Sequence, residues 1–255
     1  YPAEFDLLSL VPDRRLRPHS SLGHMVDVVA QTWAGAKTCQ LLLPSRADPS
    51  TAFLDLQPLL DSGSRANQGR PVLMMATTLA LDMLRSQWPE GRSIRLPAGS
   101  RLMDTGGPKG RALDVSREDQ HRWLCAHLGL EPHAIVGELG MTELGSQRYE
   151  TVLRAHLIGD CESSSSFAGP PWLRSVALSA VDLKPLPAGQ VGMLAHIDLA
   201  NFEPCAFVLT ADKGRVVQTN STDRVELMGR VPGSDWRGCG LDVEQLLSDS
   251  TMRDL

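Results

Sequence analysis

The sequence lacks any uninterrupted apolar run of the roughly 18–20 residues that a membrane-spanning helix needs. Its most apolar stretch, PVLMMATTLALDML from Pro71, is shorter than that and contains Asp82. The chain opens with YPAEFDLLSL, which carries acidic side chains where a secretory signal peptide carries basic ones. These absences predict a protein without a membrane span that resides in the cytoplasm.

No basic stripe with interleaved aromatic residues runs along the chain. Basic and acidic residues are mixed, and the formal net charge is −5. A surface that binds nucleic acid needs clustered positive charge to meet the phosphate backbone. The densest basic segment, DRRLRPH from Asp13, favours a solvated loop over a phosphate-binding patch. The sequence therefore predicts no nucleic-acid partner.

Cysteines are few and scattered: the chain has five, at positions 39, 125, 161, 205 and 239, and no CxxC pair. An odd number without paired spacing favours reduced thiols over a disulfide framework or a zinc site. Four are interpreted as small core residues. Cys239, in RGCG, is interpreted separately below. The GxSxG elbow is also absent, which argues against Ser–His–Asp hydrolase chemistry.

What the chain does contain is enough apolar residues for one large core or two unequal ones, since 42% of its 255 residues are hydrophobic. No internal repeat is visible. The chain begins with Tyr1 rather than methionine and without a recognisable domain start, which predicts a fragment or a trimmed product.

Strands and helices alternate in the first half, which predicts an α/β sheet with covering helices. The predicted helices are SSLGHMVDVVAQTWAG, a proline-broken TAFLDLQPLLDSG, TTLALDMLRSQW and SREDQHRWLCAHLGL, where Ser116 is the N-cap. The predicted strands are TCQLLLP, PVLMMA, SIRLPAGSRLMDTGG and HAIVGELG.

The second half is predicted to be rich in β-strands separated by turn residues. The strands are YETVLRAHLIG, VALSAVDL, GQVGMLAHIDLA, CAFVLTADKGRVVQT and RVELMGRV, and LDVEQLLSD is a short amphipathic helix. The predicted boundaries are an α/β part over residues 1–150, a β-rich part over 151–228 and a short C-terminal element over 229–255.

The segment VGELGMTELGSQRYE brings glycines, a threonine and a glutamate together directly after a predicted strand. Ligands of open α/β sheets lie outside the carboxyl ends of strands. There, Gly140 lets the backbone approach a phosphate, the Thr142 hydroxyl can donate to it, and the Glu143 carboxylate can hold Mg²⁺. The alternative is a glycine-rich connection in which Thr142 and Glu143 cap a helix.

Two further segments place polar residues at predicted strand ends. MDTGGPKGR has the bare backbone of Gly106 and Gly107, against which a flat purine ring can lie, although a glycine pair also suits a simple turn. VLTADKG places Asp212 at the end of a strand, where it can accept hydrogen bonds from ribose hydroxyls; Asp–Lys–Gly is equally ordinary turn chemistry.

The order of these motifs resembles that of the adenylate-forming superfamily of acyl ligases. DTGGPKGR, GMTELGSQRYE, GPPWLR, HIDLAN, LTADKG and GRVPGSDWRGCG are similar to its acyl-protein synthetase branch. That branch includes the synthetase of the bacterial bioluminescence fatty-acid reductase and is related to phenylacetate–CoA ligases. The resemblance covers most of the chain and implies part of an adenylation domain, with its hinge near residue 229.

The resemblance implies a role for each matching residue. Gly106 and Gly107 would flank the adenine of ATP, Asp212 would hold the ribose, and Arg230 would lie at the hinge and reach ribose or phosphate.

At the reacting end, Thr142 would bind the α-phosphate and Glu143 the magnesium ion. Cys239 would take the acyl group from the adenylate and pass it to a reductase protein.

The sequence departs from the family pattern in three places. Leu139 stands where an aromatic residue usually stacks on adenine. The Ser/Thr/Gly-rich phosphate loop is absent and is expected upstream of Tyr1, so the chain as given is expected to be inactive by itself. The large C-terminal domain with its catalytic lysine is absent too, although this branch carries only a short one.

The predicted function is ATP-dependent and Mg²⁺-dependent activation of a carboxylic acid, such as a fatty acid, to acyl-AMP. Transfer of the acyl group to a protein thiol would follow, and Arg237 beside Cys239 would lower the pKa of that thiol. Two alternatives stay open: transfer to coenzyme A, as in phenylacetate–CoA ligases, and a non-catalytic remnant that binds nucleotide or acyl groups.

Overall fold

The computed structural model describes residues 4–45, 52–66, 69–106, 115–160, 166–203, 205–218 and 223–231. The chain forms two compact units, and the second begins at Val136. The domain boundaries predicted after residues 150 and 228 stay predictions. No helix within the described ranges is long and apolar enough to span a membrane.

The first unit combines a parallel sheet with helices. Its strands are β1 (Phe5–Leu10), β2 (Ala34–Gln40), β3 (Leu42–Pro44), β4 (Ala52–Leu54), β5 (Val72–Thr77) and β6 (Arg101–Thr105). Its helices are α1 (Ser21–Thr32), α2 (Gln57–Ser64), α3 (Thr78–Ser86) and α4 (Arg117–Leu128), and a short 3₁₀ turn covers Pro132–Ala134. The sheet order is β2–β1–β5–β6, with parallel pairing throughout, and β3 pairs with β4 in a separate antiparallel ribbon.

Apolar strands and capped helices explain this arrangement. β1 and β5 are buried at five of their six positions, as expected for strands covered on both faces. The side chains of Ser20, Thr77 and Ser116 accept hydrogen bonds from the first turns of α1, α3 and α4. The predicted α/β class is confirmed.

Three predictions in this unit are wrong in detail. The predicted strand SIRLPAGSRLMDTGG is a strand only over β6, because the residues before Arg101 form coil and a turn. TCQLLLP spans the end of β2 and all of β3, because the chain leaves one sheet at Leu41 and enters the other. TAFLDLQPLLDSG is not a proline-broken helix: it contains β4, and α2 then begins at Gln57. Pro58 lies in the first turn of α2, where its missing N–H has no intrahelical partner to lose.

The second unit is rich in β-strands, as predicted, and its strands pair antiparallel. β7 (Ile135–Leu139) leads into it, and β8 (Arg148–Glu150), β9 (Phe167–Ala168), β10 (Leu173–Leu178), β11 (Val191–Asp198), β12 (Phe207–Gln218) and β13 (Asp223–Arg230) follow. The strand order is β7–β8–β9–β13–β12–β11–β10. Its core consists of Phe167, Ala177, Leu194, Val216 and Val225.

The predicted strand YETVLRAHLIG is wrong beyond Glu150. The chain forms helix α5 (Val152–Ile158), which ends at Gly159 in the left-handed conformation with φ 69°. The apolar residues Leu157 and Ile158 are exposed at the end of this helix, so they do not mark a buried strand face.

The interpretation of Cys205 as a small core residue is wrong too. This cysteine lies in the connection between β11 and β12, where it is exposed.

Candidate functional site

A tight turn follows β7 and presents two of the predicted site residues. The backbone N–H of Leu144 donates to the carbonyl of Met141 at 3.1 Å, which closes the turn. Thr142 and Glu143 lie at its tip and are exposed. Asn201 Nδ2 donates to the carbonyl oxygen of Glu143 at 2.5 Å, so the backbone of this turn, hereafter the Thr142–Glu143 turn, is tied to the connection after β11.

Gly140, the residue before this turn, lies close to a neighbouring side chain. A Cβ at Gly140 would overlap the carboxylate of Glu138, a side chain that is itself buried. Leu139, which stands where the family usually has an aromatic residue, packs against the core of the second unit. The start of the motif therefore supplies close backbone packing, and its tip supplies the polar side chains.

Asp212 and Arg230, both predicted to contact the nucleotide, lie side by side. They are register partners on β12 and β13, and Arg230 Nη1 lies 3.3 Å from Asp212 Oδ1. Their side chains are 19% and 24% exposed, so the pair is accessible from one side. The guanidinium can orient the carboxylate.

The prediction that Asp212 ends a strand is wrong, because β12 continues to Gln218. The register shifts at a bulge between Asp212 and Gly214, and the backbone N–H of Asp212 donates to Thr210 Oγ1 at 3.2 Å. A Cβ at Gly214 would overlap the carbonyl oxygen of Glu226. Asp–Lys–Gly thus builds a bulge rather than a turn, and the bulge sets the direction of the Asp212 side chain.

Gly106 lies in the first unit, directly after β6, with φ 90°. Its carbonyl accepts a hydrogen bond from Thr78 Oγ1 at 2.8 Å, and the same hydroxyl lies 3.0 Å from Asp104 Oδ1. The positive φ explains why glycine follows this strand. Gly107 and Cys239 lie outside the described residues.

A buried carboxylate that sequence patterns did not single out holds the segments around the turn. Asp198 accepts hydrogen bonds from the backbone N–H of Ser146 at 2.8 Å, from its hydroxyl at 3.0 Å, and from the backbone N–H of Ala200 at 3.0 Å. The Ser146 hydroxyl in turn accepts from Trp172 Nε1 at 3.0 Å. Asp198 therefore fixes three segments of the second unit at once.

These segments enclose a cavity of about 380 Å³, hereafter the aromatic cavity. Its size is within the range of small-molecule sites, roughly 300–1,000 Å³. Its lining residues include Gly145, Ser146, Gln147, Tyr149, Gly169 and Trp172.

Beneath the cavity wall lies a buried network centred on Arg148, which is 1% exposed. Its guanidinium donates to Ser175 Oγ at 2.8 Å and to the carbonyl of Leu173 at 3.0 Å, and it lies 3.5 Å from Asp223 Oδ2. Burial lowers the pKa of Arg148, and the Asp223 carboxylate opposes that effect. A Cβ at Gly169 would lie 2.9 Å from Arg148 Cγ, so this glycine leaves room for the arginine.

His196 closes the network with Nδ1 2.7 Å from Ser175 Oγ. Desolvation, followed by the neighbouring Arg148 cation, lowers the pKa of His196 to about 4. Its Nε2 finds no hydrogen-bond partner among the residues described. The imidazole is therefore neutral at pH 7, and its Nδ1 is paired with the Ser175 hydroxyl.

The sequence contains a signal for this network, but an ambiguous one. His196 and Asp198 alternate in phase with the buried Leu194 on β11, which is the pattern of polar groups placed inside a core. Met193, Ala195 and Ile197 occupy the other phase and are at least as apolar. Alternation alone therefore cannot say which face is buried.

The magnesium role predicted for Glu143 stays a prediction, and no preformed cluster accompanies this residue in the described part of the chain. No group of three or more His, Cys, Asp or Glu side chains that could hold a metal ion occurs in the part of the chain that the structure describes. A single exposed carboxylate suits magnesium, which keeps water ligands and is usually bound by one or two carboxylates together with phosphate oxygens.

Comparisons with known proteins give consistent matches along nearly the whole chain. A family model described as acyl-protein synthetase, LuxE, matches residues 5–248. A long-chain-fatty-acid–luciferin-component ligase of Aliivibrio fischeri is 30% identical and covers 96% of this chain and 61% of its own length. The protein of the same name from Vibrio harveyi is 25% identical and covers 95% of this chain and 60% of its own length. The chain thus spans about 60% of the length of these relatives.

Solved structures share the fold at low sequence identity. ATP-bound MatB from Rhodopseudomonas palustris is 17% identical with a TM-score of 0.54, over 89% of this chain and 40% of that one. A long-chain-fatty-acid-CoA ligase from Archaeoglobus fulgidus is 14% identical with a TM-score of 0.54, over 89% of this chain and 44% of that one. The architecture predicted from the motif order is thereby confirmed.

Proposed function

Since the chain belongs to the acyl-protein synthetase (LuxE) family, we propose that the whole protein activates a carboxylic acid with ATP and passes the acyl group to a cysteine thiol. First, a carboxylate oxygen attacks the α-phosphorus of ATP, pyrophosphate leaves and acyl-AMP forms. Then a thiolate attacks the acyl carbon, AMP leaves and a thioester forms. The name of the two curated relatives supports a long-chain fatty acid as the substrate.

The observation that carries this proposal is the Thr142–Glu143 turn. Its backbone is fixed by Asn201, while its hydroxyl and carboxylate are exposed together at the tip. Donors held in place before the reaction stabilise developing charge without reorganising. The Thr142 hydroxyl would donate to an oxygen of the α-phosphate. Glu143 would be the protein ligand of Mg²⁺, which when bound neutralises phosphate charge.

The Asp212–Arg230 pair supports nucleotide binding at the ribose. A carboxylate held by a guanidinium on the neighbouring strand is a strong acceptor for a pair of vicinal hydroxyls. Arg230 is also the last residue of β13, so its side chain belongs to the end of the second unit's sheet. We assign Asp212 to the ribose and Arg230 to the ribose or phosphate.

The remaining assignments come from the family resemblance. Gly106 and Gly107 are proposed to flank the adenine, and the bare backbone at Gly140 to lie near a phosphate. Cys239 is proposed as the thiol that takes the acyl group from the adenylate. An acyl-reductase protein is the proposed recipient of that group.

The test is acid-dependent exchange of labelled pyrophosphate into ATP by the whole protein, over a panel of carboxylic acids. Exchange that requires a fatty acid and Mg²⁺ supports the proposal. Labelled acid is then followed to its acceptor. Label on the protein supports transfer to a protein thiol. Label on coenzyme A, with none on the protein, would instead support the coenzyme A ligase alternative. If no acid supports exchange, the activity is refuted and the protein is a non-catalytic remnant that binds nucleotide or acyl groups.

A further inference from the structure

The connection after β11 lies against the chain that follows β7 and runs in the opposite direction. At its start, the Asp198 carboxylate accepts hydrogen bonds from the backbone N–H and the hydroxyl of Ser146. Three residues later, the side-chain amide of Asn201 donates to the carbonyl oxygen of Glu143. Residues 198–201, hereafter the brace, therefore contact the segment of the Thr142–Glu143 turn at two points.

The brace is itself held by hydrogen bonds within its own loop. The backbone N–H of Asn201 donates to the carbonyl of Asp198 at 3.1 Å, and the Asp198 carboxylate accepts from the backbone N–H of Ala200 at 3.0 Å. The backbone N–H of Asp198 donates to the carbonyl of Ala206, directly before β12, at 2.8 Å. The fold therefore fixes the brace by contacts of its own, whether or not a ligand is bound.

Asn201 uses its side-chain amide nitrogen on two backbone carbonyls. Its Nδ2 lies 2.5 Å from the carbonyl oxygen of Glu143 and 2.9 Å from that of Cys205. Both partners are acceptors only, so the nitrogen of the amide has to face them, and its two hydrogens match them in number. Cys205 lies just before β12, the strand that carries Asp212. One side chain thus connects the turn to the start of that strand.

The bond between Asn201 and Glu143 lies at the surface, where water can satisfy the carbonyl when the amide is absent. Its contribution to folding is therefore small. Its effect is geometric, because it fixes the backbone at the tip of the turn, from which the side chains of Thr142 and Glu143 project. A misplacement of a reacting group by about 1 Å can lower a rate by about 10²-fold.

We propose that Asn201 is a positioning residue for adenylate formation and acts through the carbonyl of Glu143 without touching the substrate. This inference rests on the proposed function for the reaction that the turn serves. Asn201 keeps the hydroxyl of Thr142 and the carboxylate of Glu143 in place, and Asp198 keeps Asn201 within reach of the turn. An interaction that matters only in the transition state is measured as a loss of kcat rather than as a higher KM.

Asn201→Asp and Asn201→Leu test this role, because both variants keep the approximate size of the side chain and lack the amide hydrogens. Acid-dependent pyrophosphate exchange by the whole protein is the assay. We expect kcat to fall by about 10- to 100-fold in both variants, while the KM for ATP changes by less than about threefold. Aspartate and leucine differ in charge, so a loss in both assigns the effect to the missing donors.

Gln190→Glu and Gln190→Leu are the matched controls. Gln190 is exposed and directly precedes β11, at the opposite end of that strand from Asn201. The same chemical changes are therefore made in the second unit away from the turn, and both controls should keep the kcat of the original protein. The inference is overturned if the Asn201 variants keep it as well, or if they raise the KM for ATP with kcat intact.

Hydrogen–deuterium exchange without ligands tests the contact itself. The backbone N–H of Leu144 closes the turn by donating to Met141, so its deuterium uptake reports whether the turn stays formed. We expect uptake at Leu144 to be about 10-fold faster in Asn201→Leu than in Gln190→Leu. Equal uptake in these two variants would show that Asn201 does not hold the turn and would overturn the inference.

The two measurements separate this inference from the proposed function. If the original protein supports no pyrophosphate exchange with any acid, the proposed function is refuted, and deuterium uptake at Leu144 still decides whether Asn201 holds the turn. If the original protein is active and the Asn201 variants match it, the activity stands and the positioning role is refuted.

Discussion

Individual buried charged side chains hold segments of the second unit in place. Asp198 is fully buried and accepts three hydrogen bonds from two segments far apart in sequence, and Arg148 joins four different groups around Asp223. Hydrogen bonds to charged groups contribute about 1.5–3 kcal/mol each, whereas an unsatisfied buried donor is costly. These residues therefore set the positions of neighbouring loops rather than supplying chemistry themselves.

Glu143→Gln tests the metal role assigned to the turn. The amide keeps the size of the side chain but removes its charge, so we expect pyrophosphate exchange to fall by ~10²-fold or more and to need more Mg²⁺. Stability in urea should stay within about 0.5 kcal/mol, because the side chain is exposed. Glu203→Gln, another exposed glutamate of the second unit, is the control. Equal Mg²⁺ dependence in both variants would leave Glu143 as an ordinary turn residue.

Asp212→Ala tests the ribose contact. Deleting a charged acceptor removes hydrogen bonds of about 1.5–3 kcal/mol, so the KM for ATP should rise roughly 10- to 100-fold. The KM for the acid should change little. Asp182→Ala, which breaks the exposed pair with Lys184, serves as the comparison. An unchanged KM for ATP would contradict the ribose contact and leave Asp212 only the role of pairing with Arg230.

His196 makes stability depend on pH in a defined window. Its pKa is lowered from 6.5 to about 4 in the folded protein, so the unfolded chain binds more protons between those values. The free energy of unfolding therefore keeps its full value above pH 6.5. It decreases by about 3 kcal/mol in all as the pH falls from 6.5 towards 4.

Urea unfolding at a series of pH values measures this effect. His196→Asn can retain an acceptor near Ser175 and cannot titrate, so its free energy of unfolding should fall less steeply across the window. Parallel curves for the two proteins would assign the pH dependence to other groups.

At the scale of elements, a helix or strand was predictable where its capping residues and its apolar pattern indicated the same structure. α4 was predictable because a Ser116 N-cap and an apolar stripe agree, and β5 because its residues are apolar up to the last one, Thr77. β12 was not, because Asp–Lys–Gly suits a turn as well as a bulge, and only the approach of the Glu226 carbonyl to Gly214 selects the bulge. The motif order predicted the site residues, while the aromatic cavity depends on segments that are brought together only by folding.

Gly214→Ala tests the bulge as an element. The added methyl group would meet the backbone of β13 rather than a flexible side chain, so β12 and β13 would have to separate. We expect a loss of about 1–3 kcal/mol in urea unfolding and a weaker Asp212–Arg230 pair, seen as a higher KM for ATP. Lys213→Ala, the exposed neighbour on the same bulge, should change neither quantity. If Gly214→Ala matches Lys213→Ala, the close approach of the two strands is not required.

At the scale of the molecule, the family match runs through both compact units, each of which has its own hydrophobic core. The polar residues proposed to act on the nucleotide, Thr142, Glu143, Asp212 and Arg230, all belong to the second unit, and so does the aromatic cavity. Gly106 lies in the first unit. An acyl transfer to a thiol also needs a cysteine, and Cys239 is the residue proposed for it.

Cys239→Ser tests the relay in the whole protein. Given ATP and its acid, the original protein should accumulate a thioester that hydroxylamine cleaves, and the variant should not, while its pyrophosphate exchange persists because adenylate formation needs no thiol. Cys205→Ser removes an exposed thiol of the second unit and should leave the thioester intact. A thioester that survives in Cys239→Ser and disappears in Cys205→Ser would reassign the acceptor.

The contact between Gly169 and Arg148 has a consequence for how this sequence can change over time. A side chain at 169 can be accommodated only once Arg148 has become smaller, and losing Arg148 first takes away one of the two guanidinium partners of the buried Asp223. Either order passes through a less stable protein. We therefore expect substitutions at positions 169 and 148 to occur only together. Neutral substitutions in the cavity wall are then limited to residues that do not contact Arg148.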